Sequence, residues 1–479
     1  MGKRVVCCIV FLCAMSGCAV GPDWKRPNME TPAAWRIDYA QAAEMANTRW
    51  WEAFGDSALN QLVDEALHNN RDLAQAAARV DQFLGALRTT RSQFYPQFGY
   101  SADASRNYAT ENGITPAIPG MARTYSLYDA ALGASWQIDL FGRVRREAEA
   151  AQAQVYASEQ GRRGVVLSVV TSVATAYIAL RALDRQLEIA HATAENYAGS
   201  LRLFEMRHAG GVVSEVERSQ VESQYQQAQA AIPRLERDVA QQENLLSVLL
   251  GRAPGDIPRG RNIEQLLEPA IPADLPAALL ERRPDILQAE HNLHAANAEI
   301  GAAKSAYFPS LTLTGLFGVT SKSLGNFLDS SSKTREAMAS LTGPIFTFGQ
   351  IKGQVQSARA TRREALAFYE QTVFNALRET NDALIGVQKR QAEYTALSRR
   401  TEALRTYAKL SRDKFEGGEA SYLEVLYAEN ELFNAELEAV SVLGLRFSEL
   451  INVYKALGGG WIDAADPLAR KTPVAATQP

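Results

Sequence analysis

The chain has 479 residues, a formal net charge of −4 and 22% charged residues. This length accommodates two or three ordinary domains, and a slightly acidic chain without a basic block is not typical of a nucleic-acid-binding protein. All four cysteines lie in the first 18 residues. Disulfide bonds therefore cannot hold the rest of the chain together, even in an oxidising compartment.

The N-terminus has the pattern of a targeting signal. Lys3 and Arg4 precede an apolar run over residues 5–15, which is too short to span a membrane. The run ends in Met-Ser-Gly-Cys, which resembles a bacterial lipobox. We predict that residues 1–17 are a signal peptide and that Cys18 carries a covalent lipid; the alternative is ordinary cleavage near Ala19. Ala19, rather than Asp, after the cysteine favours sorting to the outer membrane.

The next segment, residues 18–56, is rich in Pro and Trp, and we interpret it as a lipidated, extended arm lying against the body. A helix is predicted from Ser57, and a second helix from Arg71 to about Phe94, since Asn69 and Asn70 interrupt the helical pattern. Pro96 ends the second helix.

Two segments alternate between apolar and polar residues in the way of paired β-strands. The first predicted hairpin covers residues 97–139 and the second covers residues 309–346. A soluble sheet with one buried face shows the same alternation. The outer-membrane-type leader favours a membrane barrel, because only a closed barrel satisfies strand backbones in lipid. One chain supplies four strands and the smallest such barrels need about eight, so the barrel must be shared between copies.

A heptad-like pattern predicts one very long helix beginning near Gly142. Apolar residues recur there in alternating steps of three and four, which is the repeat of a coiled-coil seam. From Gly142 to His208 such a helix would be ~100 Å long. The positions are Val166, Val169, Val173, Ala176, Leu180, Leu183, Leu187, Ala190, Ala194, Tyr197, Leu201 and Phe204.

The same arrangement occurs twice in the chain. Gly142 and Gly349, Gly211 and Gly418, Ser214 and Ser421, and Gly251 and Gly458 are each separated by 207 residues. Upstream, Asp72 and Asp285 are separated by 213 residues. One constant offset over so many positions indicates a duplicated half rather than a short repeat.

The duplication defines the predicted domains. The first repeat covers residues 57–251, with a helical hairpin over 142–251, and the second covers residues 284–458, with a helical hairpin over 348–458. Residues 252–283 form a linker across the outside at mid-height, and residues 459–479 a flexible tail. The shorter helix before each strand hairpin should stack end to end with the returning helix, and Pro233 should kink the first of these.

Several motifs closely resemble the outer-membrane efflux proteins, the TolC- and OprM-like outer membrane factors, in their lipoprotein branch. The resemblance covers nearly the whole chain after Cys18. It is carried by Gly21-Pro22-Asp23-Trp24, Trp50-Trp51, Asp139-Leu140-Phe141-Gly142-Arg143, Arg282-Arg283-Pro284-Asp285-Ile286, Ala295-Ala296-Asn297-Ala298-Glu299-Ile300-Gly301, Phe308-Pro309-Ser310-Leu311, Pro344-Ile345-Phe346 and Ser421-Tyr422-Leu423-Glu424-Val425.

The resemblance implies an α+β membrane protein: a homotrimer whose twelve-stranded β-barrel, four strands per chain, is continued by a long α-helical coiled-coil barrel in the periplasm. It further implies a periplasmic adaptor and a proton-driven inner-membrane pump as partners. The two helix turns would form the tip that contacts the adaptor, although glycines there also serve as helix caps. The implied tip residues are Arg207, Gly210, Gly211, Ser214, Lys414, Gly417, Gly418 and Ser421.

The family closes this tip with charged residues near the start of the last helix. Where many relatives carry Asp and Arg, this chain has Tyr427 and Asn430. A ring of three Tyr427 side chains could narrow the pore, whereas coiled-coil packing is the alternative role for Tyr427.

Other chemistry finds little support in the sequence. His291 and His294 share a helix face, but a solvated surface explains them better than a metal. Neither a Gly-rich phosphate loop nor a nucleophile elbow is present, so we expect no enzyme activity and no cofactor beyond the lipid on Cys18. The leading hypothesis is the exit duct of a drug-exporting tripartite pump. The alternatives are the channel of a type I secretion system and a periplasmic coiled-coil adaptor without a pore.

Overall fold

A computed structural model describes residues 19–29, 31–32, 49–108, 110, 123–271 and 279–458. The predicted signal peptide, Cys18 and the predicted tail lie outside the described residues. In chain order the elements are α1 Ser57–Asn69, α2 Arg71–Ser92, β1 Gln97–Tyr108, β2 Thr124–Ile138, α3 Arg143–Ala209, α4 Glu215–Leu249, α5 Leu279–Arg282, α6 Pro284–Ser305, β3 Ser310–Ser321, β4 Lys333–Thr342, α7 Gln350–Glu416 and α8 Tyr422–Ala456.

The internal duplication is confirmed by the lengths of the paired helices. The long helices α3 and α7 have 67 residues each, and the returning helices α4 and α8 have 35 each. Both pairs are separated by 207 positions. The shorter helices α2 and α6 have 22 residues each and are separated by 213 positions. The two halves of the chain therefore form the same series of elements.

The chain divides into two compact units. Of the described residues, unit 1 contains 19–28, 79–108, 110, 123–158 and 289–369, and unit 2 contains 29, 31–32, 49–78, 159–271, 279–288 and 370–458. The duplication does not coincide with this division, because each unit takes segments from both repeats.

Unit 1 contains the sheet. The described strands form one antiparallel sheet in the order β1-β2-β3-β4, so the two hairpins are joined through β2 and β3. Gly133 pairs with both Gly99 and Leu316, which places it in the middle of the register. The outer edges of β1 and β4 have no partner strand among the described residues. On β1, Phe98 and Tyr100 are 82% and 88% exposed in the single chain.

The N-terminal segment of unit 1 lies where the strands meet the helices. The Val20 amide donates a hydrogen bond of 3.2 Å to the carbonyl of Phe141. Gly142 has a φ of +77°, and a Cβ atom there would lie 2.7 Å from the Cα of Ala19. Only glycine accommodates both the left-handed backbone and this close approach. The first described residues are therefore packed directly against the start of α3.

The extended arm was predicted to continue to residue 56, and the structure of unit 2 shows that this boundary is wrong. Residues Trp50–Phe54 form a 3₁₀ helix whose Trp50, Trp51 and Phe54 side chains are fully buried. Trp50 stacks on Tyr454 at 4.9 Å between ring centroids. The aromatic residues are therefore core, because their large apolar surface is removed from water, and the extended conformation does not continue to residue 56.

Buried Asp56 joins three segments of unit 2. Its carboxylate accepts hydrogen bonds from the amides of Ala58 and Leu59, which caps α1. It also accepts from the Tyr177 hydroxyl and the Arg261 amide, each at 2.9 Å. Since Arg261 lies in the linker, the linker is attached to the core through this buried carboxylate.

The predicted end-to-end stacking of helices is present at both repeat junctions. The Asn70 amide donates to the carbonyl of Leu249 at 2.7 Å, and its Oδ1 accepts from the backbone of Asp72 and Leu73. At the corresponding place in the second repeat, Arg283 donates to the carbonyl of Ala456 at 3.0 Å. One side chain thus links the end of the returning helix to the start of the shorter one in each half.

The most apolar part of α3 has the length and composition of a membrane-spanning helix. Composition alone is weak evidence, because the core helix of a soluble region has the same character. Val170, Val173 and Leu180 in this part are fully buried in the chain itself. We therefore assign this part of α3 to the core of unit 2.

Candidate functional site at the helix turns

The first helix turn follows α3 and is closed by backbone hydrogen bonds. The amide of Gly210 donates to the carbonyl of Met206 at 3.1 Å, and the amide of Val212 donates to that of Arg207 at 2.8 Å. Gly211 between them has a φ of +72°. This is the pattern of a helix C-terminus that ends in a left-handed residue. The glycine predicted at the tip therefore has a clear role in the backbone.

The second turn repeats this geometry after α7. The amide of Gly417 donates to the carbonyl of Asp413 at 3.0 Å, and the amide of Glu419 donates to that of Lys414 at 2.9 Å. Gly418 has a φ of +76°. The eight predicted tip residues thus lie in two turns of matching backbone conformation.

The two turns differ in how the returning helix begins. Ser214 caps α4: its hydroxyl accepts from the Glu217 amide at 3.2 Å, and the Glu217 carboxylate accepts from the Ser214 amide at 2.7 Å. This reciprocal arrangement is a capping box. Ser421 is at the N-cap of α8 but makes no side-chain capping bond. The cap of the first turn is therefore the stronger of the two.

An aromatic cluster holds the turns side by side within unit 2. Tyr422 lies 4.3 Å from Phe204 and 4.9 Å from Phe415, measured between ring centroids. The Arg207 guanidinium lies over the Phe415 ring at 5.6 Å. Phe204 comes from the first hairpin, and Phe415 and Tyr422 flank the second turn. This cluster fixes the relative position of both predicted tip segments.

Apolar side chains around the turns are exposed in the single chain. The apolar residues near the turns that are more than half exposed include Met206, Val212, Val216, Leu410, Leu423 and Tyr427. Exposed apolar side chains grouped in one place are typical of an interaction surface. The turns thus combine a rigid interior with an apolar exterior.

Ion pairs join α7 to α8 behind the second turn. Arg412 pairs with Glu429, and seven residues further from the turn on each helix Arg405 pairs with Glu436 at 2.9 Å. Burial raises the pKa of Glu429, whereas the Arg412 guanidinium acts in the opposite direction. These pairs were missed in the sequence analysis. Their equal spacing on both sides of the turn, in an antiparallel helical hairpin, is the signal that would have found them.

The predicted gate residues lie on α8, next to this ion pair in sequence. Tyr427 is 61% exposed and is not part of the aromatic cluster. The side-chain oxygen of Asn430 accepts a long hydrogen bond of 3.5 Å from the amide of Asn434. The structure therefore places both residues on the helix that follows the second turn, with Tyr427 exposed and Asn430 half-buried in the single chain.

The two histidines considered as a metal pair have other contacts in unit 1. The His294 ring lies 4.7 Å from that of Trp24 and its Nε2 is 3.1 Å from a Glu149 carboxylate oxygen. The centroid of the His291 ring lies 5.4 Å from that of Tyr156, and burial lowers the pKa of His291. These contacts attach α6 to α3 and to the N-terminal segment.

An open antiparallel sheet joined to two long helical hairpins is the chain architecture of an outer-membrane channel protein. The family model described as outer membrane efflux protein matches residues 62–252 and 275–459, and the chain belongs to this family.

Known proteins resemble the chain over almost its full length. The solvent efflux pump outer membrane protein SrpC of Pseudomonas putida is 32% identical over 458 residues, which cover 94% of this chain and 97% of SrpC. The open-state structure of the Neisseria gonorrhoeae MtrE outer membrane channel has a TM-score of 0.83 at 29% identity, covering 93% of this chain and 99% of MtrE. The Campylobacter jejuni CmeC outer membrane channel has a TM-score of 0.85 at 25% identity, covering 92% and 95%.

These findings confirm the predicted class of protein. The chain is an outer-membrane channel component of a tripartite efflux system, in which it works with an adaptor and an inner-membrane pump. It is located in the outer membrane with a periplasmic helical extension, and it is a transport duct rather than an enzyme.

Proposed function

We propose that three copies of this chain form a passive exit duct for small organic compounds. The observation that carries the proposal is the open sheet of unit 1. The outer edges of β1 and β4 lack partner strands among the described residues, and unpaired strand edges are not tolerated in lipid. Copies that pair β4 of one chain with β1 of the next would close the sheet. Three copies supply twelve strands, which lies within the size range of membrane barrels.

The helix turns are the proposed contact with the adaptor. Their glycine caps and the cluster of Phe204, Phe415 and Tyr422 hold both turns in one arrangement. The exposed apolar side chains, such as Val212 and Leu423, then provide a surface that a partner would cover. A rigid surface of this kind binds without a large ordering cost.

A lipid on Cys18 is the proposed membrane anchor. Cys18 immediately precedes Ala19, which packs against Gly142 at the junction of strands and helices in unit 1. A lipid attached there would emerge at the level where the barrel strands end. The mass of the purified protein tests this anchor. It should exceed the mass of the unmodified chain by a diacylglycerol and an acyl chain, and neither group should be present in Cys18→Ser.

We propose Tyr427 and Asn430 as the gate. Both belong to α8 near the second turn, and the Tyr427 ring is exposed in the single chain. In a trimer, three such rings brought towards a common axis would narrow the passage. Tyr427→Ala should therefore increase the conductance of the purified channel, while Tyr225→Ala, on the returning helix of the other hairpin, serves as the matched aromatic control.

Organic solvents and antibiotics are the proposed cargo, delivered by a proton-driven pump. The relatives include proteins named for solvent, toluene and antibiotic efflux in Pseudomonas putida. A passive duct has no site that couples energy to transport, so the pump would set most of the specificity. Peptide export through a type I secretion system is the alternative cargo class.

Accumulation of ethidium and several antibiotics in a deletion strain tests the proposed function. The wild-type gene should lower accumulation, whereas Gly418→Val should not, because a β-branched residue is strongly disfavoured at a φ of +76°. The matched control is Gly199→Val on α3, where an added Cβ atom meets nothing within 4 Å. Equal accumulation with and without the gene would contradict organic-compound efflux.

A further inference from the structure

A cavity in unit 1 carries positive charge that no described contact neutralises. Its volume is about 670 Å³, and it is lined by the end of α6, the turn before β3, the first part of α7 and Val20 of the N-terminal segment. Its cationic residues are Lys304, Lys352, Arg359 and Arg363. No Asp or Glu residue is among the described residues that line it.

The four cations differ from most arginines elsewhere in the chain. Within the described part of the chain, Lys304, Lys352, Arg359 and Arg363 have no carboxylate oxygen within 4.0 Å of their charged nitrogens, and their side chains make no hydrogen bond to the protein. Further along α7, by contrast, Arg400, Arg405 and Arg412 each pair with a glutamate. Like charges gathered around one cavity repel, and an anion would relieve this repulsion.

The remaining lining of the cavity is apolar and aromatic. Tyr307 and Phe308 are 49% and 41% exposed, and Val355 forms the wall on α7. Phe308 is held in place by stacking on Phe141 at 4.6 Å between ring centroids. A cationic rim beside aromatic and aliphatic side chains suits a ligand with a charged head and a hydrocarbon body.

The position of the cavity points to the membrane surface. Phe308 is two residues before β3 begins, and Lys352 is in the first turn of α7, shortly after β4 ends. In an outer-membrane channel with periplasmic helices, the ends of strands that continue into helices lie at the periplasmic surface of the bilayer. Aromatic residues are enriched at this level, and cations there attract anionic lipids.

We propose that this cavity binds the phosphate headgroup of an anionic phospholipid of the inner leaflet, with Arg359 and Arg363 as the principal contacts. Guanidinium groups bind phosphate oxygens through paired hydrogen bonds. Arg359 and Arg363 are four positions apart on α7, so their side chains emerge on the same helix face. The site rests on the outer-membrane location of the protein and is independent of its cargo.

Native mass spectrometry of the protein in dodecyl maltoside micelles doped with phosphatidylglycerol tests this site. The wild-type protein should retain phosphatidylglycerol in preference to phosphatidylcholine. The double variant Arg359→Gln/Arg363→Gln should bind about twenty-five-fold more weakly, since each cation near anionic lipid contributes about a fivefold gain in affinity. The control variant Lys389→Gln/Arg399→Gln removes the same charge from exposed positions elsewhere on α7 and should bind as the wild type does.

Two results would overturn the assignment. Equal retention of phosphatidylglycerol by the double variant and the wild type would show that the cavity does not hold the headgroup. Complete displacement by millimolar inorganic phosphate would show that the site takes a soluble anion instead of a lipid. Because retention is measured on purified protein, a failure of the export assay leaves this test unaffected. A thermal unfolding midpoint within about 2 °C of the wild type's would confirm that the double variant is folded.

Discussion

The two repeats share a backbone but differ in the side chains that secure it. Both returning helices end in a left-handed glycine, Gly251 or Gly458, beside the start of a shorter helix. The first repeat links these helices with neutral Asn70, whereas the second uses Arg283, which also pairs with Asp285 and Glu379. Duplication has therefore preserved the positions where the backbone needs a particular residue, while the polar contacts around them have diverged.

The largest effect is expected at the glycines that end the returning helices. At Gly251 an added Cβ atom would lie 2.2 Å from the carbonyl oxygen of Asn69, and the φ is +75°. Gly251→Ala should destabilise the protein by about 3 kcal/mol, because left-handed strain adds to a backbone clash. At Gly458, where φ is +83°, the nearest atoms are the Arg283 Cγ at 2.5 Å and the Arg283 Cα at 2.9 Å, so the closest approach is less severe than at Gly251.

Thermal unfolding followed by circular dichroism would compare the two glycine variants. Gly458→Ala should be less destabilising than Gly251→Ala, and Gly353→Ala, where a Cβ atom has open space, should be near neutral. Equal losses of stability in Gly251→Ala and Gly458→Ala would show that left-handed backbone strain, rather than the clash of the added Cβ atom, sets the destabilisation.

The next largest losses of stability are expected for Arg283 and Asn70, the side chains that link the helices at the two repeat junctions. Arg283 is almost fully buried and donates to the Ala456 carbonyl, so Arg283→Ala leaves that buried carbonyl with one partner fewer. We expect a loss of about 2–3 kcal/mol, discounted for the half-exposed carboxylates that it pairs with. Asn70→Ala removes a helix cap and one link to Leu249 and should cost about 1–2 kcal/mol. Urea denaturation of both variants measures the difference, and a larger loss at Asn70 would reverse the ranking.

The residues that cap the returning helices, Ser214 and Ser421, should show a smaller difference in stability between the two repeats. Ser214→Ala removes a capping box and should destabilise the helix start by about 1 kcal/mol. Ser421→Ala should change stability by only a few tenths of a kcal/mol, since Ser421 makes no side-chain capping bond. Hydrogen exchange at the first turns of α4 and α8 reports the two effects separately. Similar changes at both turns would mean that the difference in capping has no energetic consequence.

The smallest expected difference is the response of the two hairpins to pH. Hydrogen bonding from Arg218 lowers the pKa of Glu215 to about 2, so its contribution to stability is present at neutral pH and is lost as the pH falls towards 2. Burial raises the pKa of Glu429, which faces Arg412, Tyr422 and Tyr197. Folding then favours its protonated form, so its contribution falls as the pH rises from the ordinary carboxyl pKa to the raised one.

The pH dependence of the unfolding midpoint in Glu215→Gln and Glu429→Gln distinguishes these signs. Glu215→Gln should reduce the loss of stability at acid pH, and Glu429→Gln should reduce the decline on the alkaline side of the ordinary carboxyl pKa. The Glu215 carboxyl makes stability rise with pH, whereas the Glu429 carboxyl makes it fall with pH, so the two substitutions should change the slope of stability against pH in opposite directions. A change of slope in the same direction in both variants would contradict the assigned causes.

The sequence predicted the elements better than the contacts between them. Helix periodicity and the constant offset predicted α3 and α7, because both signals depend only on residues within one helix or on its copy. The junction at Asn70 was also predicted, since helix lengths alone required the shorter helices to stack. The buried carboxylate of Asp56, which binds Tyr177 and Arg261 across 121 and 205 positions, has no local pattern. The burial of Trp50 likewise depends on Tyr454, far along the chain.

The positions of the two helix turns were predicted from the sequence, whereas the contacts around them were not. Glycines mark the turns in the sequence because their backbone conformation requires them. The cluster around Tyr422 and the Arg412–Glu429 pair depend on how two hairpins meet, which the order of residues in either hairpin does not specify. The cationic cavity combines three separate segments of unit 1, so each of its cations looks like an ordinary surface charge in the sequence.

In the proposed assembly, two further copies close the open sheet of one chain into a conducting pore. Native mass spectrometry of the purified protein, followed by conductance in planar bilayers, tests it most directly. We expect a complex of three chains that conducts ions, and a larger conductance for Tyr427→Ala. A complex of one or two chains, or a trimer that forms no conducting pore, would contradict it.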